Sequence, residues 1–177
     1  MSIPNIINPG PPRSDYKSKA SRNIKELNVL YQNAKGFVNL KDNSNSPRLF
    51  TNKVLDFQGY IFSQKPDVII LNETWLNRNI LDNELFPNNS YRVFRRDRSS
   101  ESHPYDENCP KKFRVKGGGV LVAVRSDLDV NCTLHKIKGT KAKAEIISVV
   151  VTPGSGKTVC FSTLYRVGNL GLKTLRK

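Results

Sequence analysis

The sequence predicts an α/β fold in which a parallel strand-helix-strand unit opens the domain and antiparallel β structure completes it. Apolar residues alternate at period two over 27–32, recur at spacings of four, three and four from Phe50 to Ile61, and then run unbroken through Val68, Ile69, Ile70 and Leu71. Period two belongs to a strand with one covered face, the 4-3-4 spacing to one face of a helix, and a continuous apolar run to a strand covered on both faces.

Residues 1–22 contain four prolines and no apolar periodicity, and read as a flexible leader before a domain spanning 23–177. In the first strand Leu27, Val29 and Tyr31 alternate with Asn28, Leu30 and Gln32, ending at Asn33. A polar loop follows, and Pro47 suits a first helical turn ahead of the face marked by Phe50, Val54, Phe57 and Ile61. Pro66 and Asp67 close the connection, and the second strand runs into Asn72, Glu73, Thr74 and Trp75. Such a crossover is right-handed and leaves its strands parallel, with their carboxyl ends on one edge of the sheet. Asn33 and Glu73 are therefore expected on one rim, a common place for ligands in α/β proteins. Further strands are expected at 91–96, 119–124, 130–137, 145–151 and 159–165. The polar, proline-containing stretch 99–116 reads as a surface excursion between the first two of these.

A length of 177 residues suits one domain, and 37% apolar residues are enough for a core. The 29 Lys and Arg against 15 Asp and Glu leave a formal charge of +14, which favours a polyanionic partner. A membrane partner would call for a long apolar span or a basic amphipathic helix, and neither is visible. Nor does the amino terminus have the layout of a secretory signal, so an intracellular, nuclear location is expected. Cys109, Cys132 and Cys160 fit neither a disulfide framework nor zinc spacing, and His103 and His135 have no second ligand nearby in sequence.

Residues 151–158, VTPGSGKT, end like a phosphate-binding loop but lack its first glycine, since Val151 stands five positions before Gly156. A strand follows where a helix is required, so Gly154 to Thr158 is expected to join two strands and hold no nucleotide. Gly117, Gly118 and Gly119 precede a strand, where they permit either a bulge or close approach of another group. Arg92, Arg95, Arg96, Arg98, Lys111, Lys112, Arg114 and Lys116 form a basic cluster that suits either a solvated loop or contacts to a phosphate backbone. Glu73, directly after a buried strand, is placed either to accept loop hydrogen bonds or to hold a hard divalent cation.

LNVLYQNAKGF (27–37), PDVIILNETWL (66–76), YRVFRRDR (91–98), GGGVLVAVR (117–125) and FSTLYRVG (161–168) occur in that order. Together they resemble the endonuclease/exonuclease/phosphatase superfamily, specifically the apurinic-endonuclease-like domain of non-LTR retrotransposons. The resemblance implies a four-layered α/β sandwich of two packed mixed β-sheets, with Mg²⁺-dependent cleavage of DNA. It places Asn33 in an active-site hydrogen-bond network, makes Glu73 the metal-binding carboxylate and sets Tyr165 near the scissile phosphate. Arg95, Arg98 and Arg166 fall on the nucleic-acid side.

The family also uses a later Asp-x-Asn segment and a terminal Asp-His pair, and VGNLGLKTLRK after Arg166 contains neither. The expectation is an amino-terminal part of such a domain, missing its carboxyl-terminal part and inactive alone. The alternative is a non-catalytic, basic nucleic-acid-binding protein derived from it. A phosphatase of the same superfamily is disfavoured by the FRRDR and YRVG segments.

Overall fold

In a computed structural model, the structure describes residues 26–38, 52–99, 117–128, 130–134, 144–153 and 157–166. The leader at 1–22, most of the 99–116 stretch, Cys109, His103, His135, Phe50 and Pro47 lie outside the described residues.

The chain begins with strand β1 (Val29–Asn33), helix α1 (Lys53–Gln64) and strand β2 (Val68–Asn72), and β1 pairs parallel with β2 in the register Asn33 to Asn72. All five β2 residues are buried, as its apolar run requires. Helix α1 buries Val54, Phe57 and Ile61, the expected stripe, and stops where Lys65 turns left-handed and donates its N–H to the Ile61 carbonyl. A short helix α2 (Asp82–Leu85) and a 3-10 turn at Pro87–Asn89 follow. Neither has enough periodicity to stand out in the sequence. They bring Leu85 and Phe86 under α1, where the Phe57 and Phe86 rings meet edge to face at 5.7 Å.

Strands β3 (Tyr91–Arg96) and β4 (Val120–Arg125) complete a first sheet in the order β1-β2-β4-β3. Because β4 is antiparallel to both neighbours, β3 runs in the direction of β1 and β2. Three carboxyl ends therefore share one rim, together with the amino end of β4. Strands β5 (Val130–Leu134), β6 (Ala144–Pro153) and β7 (Val159–Arg166) form a second, fully antiparallel sheet. Strands β6 and β7 pair with Val151 opposite Val159, and most of the Gly154–Thr158 turn between them lies outside the described residues.

Two apolar clusters hold the layers together. One lies between the helices and the first sheet and includes Phe37, Phe57, Ile69, Leu71 and Leu121; the other lies between the sheets and includes Val68, Ile70, Val122, Ile147 and Val149. Each fully buried side chain of this size contributes about 1.5–3 kcal/mol from leaving water. The described residues thus build one helical layer and both sheets of a sandwich.

One expectation needs correcting. The alternation in β1 suggested Val29 and Tyr31 as its covered side, yet they are 41% and 64% exposed while Leu30 packs against the helical core. The second sheet lies over β2, β3 and β4. Among the described residues it does not cover the corresponding face of β1, so the apolar phase is right and the burial is not. The strand expected over 130–137 is described only as far as Leu134.

Candidate active-site rim

Past the strand ends, three segments remain laced together by backbone hydrogen bonds. The Ala34 N–H donates to the Asn72 carbonyl at 2.8 Å, Gly36 to Glu73 at 2.8 Å and Phe37 to Thr74 at 3.0 Å; on the other side Thr74 donates to Gly119 at 3.3 Å and Trp75 to Gly118 at 2.9 Å. Glu73 therefore sits in the middle of a three-stranded weave. Its φ of 52° is left-handed, as are those of Lys35, Gly36, Trp75 and Gly117 to Gly119. A non-glycine residue in this region costs on the order of 1–3 kcal/mol and persists only where its surroundings fix it.

The left-handed turn has a consequence for direction. Regular strand geometry would send Asn72 and Glu73 to opposite faces. Instead, both meet residues of β7: the Thr163 hydroxyl donates to the Asn72 amide oxygen, and the Tyr165 phenol lies beside the Glu73 carboxylate. The Asn72 amide group also donates to the Tyr31 hydroxyl at 3.2 Å. Asn33 is exposed on the neighbouring strand tip, where its amide oxygen accepts from the Lys35 N–H at 3.0 Å. Burial first, and then the hydrogen bond and charge of Glu73, push the Tyr165 phenol above its ordinary range, while Arg98 pulls it down.

The structure brings Asn33, Glu73 and Tyr165 to one rim and gives two of the named arginines internal partners. Arg95 forms ion pairs with Asp82 at 3.0 Å and Asp97 at 3.3 Å, and donates to the Asn77 and Ile80 carbonyls at 3.1 and 2.7 Å. Arg98 is buried and bonds both oxygens of Glu145, at 2.8 and 3.4 Å. Both guanidinium groups are thus engaged by acids or carbonyls of the protein itself, Arg98 with its side chain only 4% exposed and Arg95 with 16%. The alternation of β3 puts Arg96 in the exposed position instead. Arg166 closes β7 at the same end, half-buried.

Asn72, Thr163 and Glu145 were not singled out from the sequence. Glu145 carried a legible signal, because in AEIISVVV it falls in phase with Ile147, Val149 and Val151, all of which face the first sheet. An acid in an apolar phase calls for a buried cation.

No family model matches the sequence, and no curated protein matches it. Solved structures do. The human Nocturnin catalytic domain, determined with a bound sulfate anion, superposes with a TM-score of 0.52 at 14% identity over 85% of this chain and 53% of that one. The chain thus shares the α/β fold with two packed sheets of that domain. A second match, zebrafish (D. rerio) TDP2 in complex with a single-strand DNA product, has a TM-score of 0.47 and 18% identity, covering 85% of this chain and 52% of that one. The chain thus spans about half the length of both matched structures.

Proposed function

We propose that this rim forms part of a metal-dependent DNA endonuclease site of the non-LTR retrotransposon type, working in the nucleus. The observation that carries the reading is the meeting of Glu73 from the first sheet with Tyr165 from the second, beside the exposed amide of Asn33. A carboxylate, a phenol and an amide at one edge suit an anionic phosphodiester and the cation that accompanies it. The order of the YQNAKGF, LNETWL, FRRDR, GGGVLVAVR and LYRVG segments favours the retrotransposon type over other nucleases or phosphatases of this fold.

The residues fit Mg²⁺ in a limited way. Among the described residues no group of three or more His, Cys, Asp or Glu side chains converges on a metal position. Mg²⁺ commonly keeps several waters and is held by one or two carboxylates plus substrate phosphates. Glu73 suffices for that mode, with Asn33 on the neighbouring strand tip. Bound there, Mg²⁺ would offset charge developing on the phosphoryl oxygens. The protein's own part is to hold the Glu73 oxygens in place through Tyr165, to offer the Tyr165 hydroxyl and Asn33 amide as hydrogen-bonding groups, and to attract DNA through its excess of cations.

The net charge of +14 also supports the second reading, a basic nucleic-acid-binding protein without catalysis. Supercoiled plasmid with Mg²⁺, assayed for nicking and binding, separates the two. We expect salt-dependent binding and no nicking by the 177-residue chain. Mg²⁺-dependent nicking that vanishes in Glu73→Ala would show a complete site. Binding without any Glu73-dependent Mg²⁺ response would leave only the second reading.

A further inference from the structure

We propose that the buried Arg98–Glu145 pair is a positioning device: it fixes the ring of Tyr165 so that its hydroxyl holds Glu73 at the rim. This deepens the nuclease reading, which supplies the role of Glu73. Arg98 leaves the end of β3 in the first sheet, whereas Glu145 and Tyr165 stand directly opposite each other on β6 and β7 of the second. The Arg98 and Glu145 side chains are 4% and 0% exposed, and their closest contact is 2.8 Å. The guanidinium carbon lies 5.5 Å from the centre of the Tyr165 ring, within range of a cation–π contact.

Gly118 closes the other side. A Cβ there would overlap the Arg98 guanidinium, so glycine at this position leaves the room the cation occupies. Three elements thus confine one cationic plane: the backbone of Gly118, the carboxylate of Glu145 and the ring of Tyr165. A buried ion pair gains little stability over apolar residues of similar volume, so its presence calls for another role. Here the neighbouring ring supplies one. Arg98 itself touches no reacting group and acts through Tyr165.

The test uses the full chain with 13C-labelled glutamate side chains, following the Glu73 carboxyl resonance, which Glu73→Gln identifies by its loss. Tyr165→Phe should move that resonance by removing the hydrogen bond. The double variant Arg98→Met/Glu145→Leu replaces the pair with apolar groups of similar size and preserves packing. It should reproduce the Tyr165→Phe displacement and add nothing to it in the triple variant. Glu145→Gln, which keeps the volume and one acceptor, should move the resonance in the same direction and provides the readout if the double variant does not fold. Mg²⁺ titrated against the same resonance should bind about 10–100-fold more weakly in these variants.

A Glu73 resonance that stays in place in both pair variants, or in Tyr165→Phe, overturns the proposal. Failure of Mg²⁺ to move the wild-type resonance would sink the metal-dependent reading instead, leaving positioning to be decided by the variant comparison alone.

Discussion

The Thr163 hydroxyl donates a hydrogen bond to the amide oxygen of Asn72, joining the middle of β7 to the last residue of β2 across the space between the sheets. Both residues are buried, and the Asn72 amide nitrogen is engaged by Tyr31. The polar bridge therefore sits next to the Tyr165–Glu73 contact and sets the height at which the second sheet meets the rim. Thr163→Val keeps the shape and strands the Asn72 oxygen. The expected loss is about 1–3 kcal/mol, seen as a lower urea midpoint with an unchanged slope.

Gly118 and Gly59 make opposite predictions. Gly118 has φ +66° and lies against Arg98, so Gly118→Ala meets both backbone strain and overlap and should cost about 2–4 kcal/mol. Gly59 lies inside α1 with open space where a Cβ would be. Gly59→Ala should stabilise by roughly 1 kcal/mol through helix propensity. Thermal or urea unfolding of the two variants checks both signs.

Tyr91 sets an alkaline limit. Its hydroxyl donates to the Pro66 carbonyl at 2.8 Å, and burial pushes the phenol up to about 12 from 10.0, with Arg125 opposing and Asp67 adding to the rise. The unfolded chain ionises first. The stabilisation is present in full below pH 10 and is lost as pH rises from 10 through about 12. The change should amount to roughly 2–3 kcal/mol. Tyr91→Phe should flatten that limb in urea titrations between pH 9 and 12; an identical slope in the variant would place the alkaline loss elsewhere.

Arg95 and Arg96 are neighbours with different expected readouts. Arg95→Ala breaks ties to Asp82, Asp97 and two carbonyls, and should lower stability while leaving the salt dependence of DNA binding unchanged. Arg96→Ala should preserve stability and reduce the slope of log affinity against log salt by about one, the effect of a lost phosphate contact. Binding isotherms on duplex DNA across a salt series distinguish the two.

The first half of the fold was legible because its signals are local. The spacing of Val54, Phe57 and Ile61 marked the buried face of α1, the apolar run marked β2, and a right-handed crossover fixed the parallel pairing that brings Asn33 beside Asn72. The Gly117 to Gly119 run left a bulge and a close approach open, and the contact of Gly118 with Arg98 decides for the second at that residue. The ion pairs of Arg95 and Arg98 were not legible, because a basic run looks the same whether its charges face solvent or internal acids.

By itself the sequence determined the order of helix and strands, the rim shared by Asn33 and Glu73, and the strong positive charge, since period, chain direction and composition are properties of the chain alone. Only the tertiary structure decided that Glu73 meets Tyr165, that Arg98 pairs with Glu145, and that the inner face of β1 carries exposed Val29 and Tyr31. Those outcomes depend on how two separately patterned sheets stack, and side chains distant along the chain acquire partners only when that packing is formed.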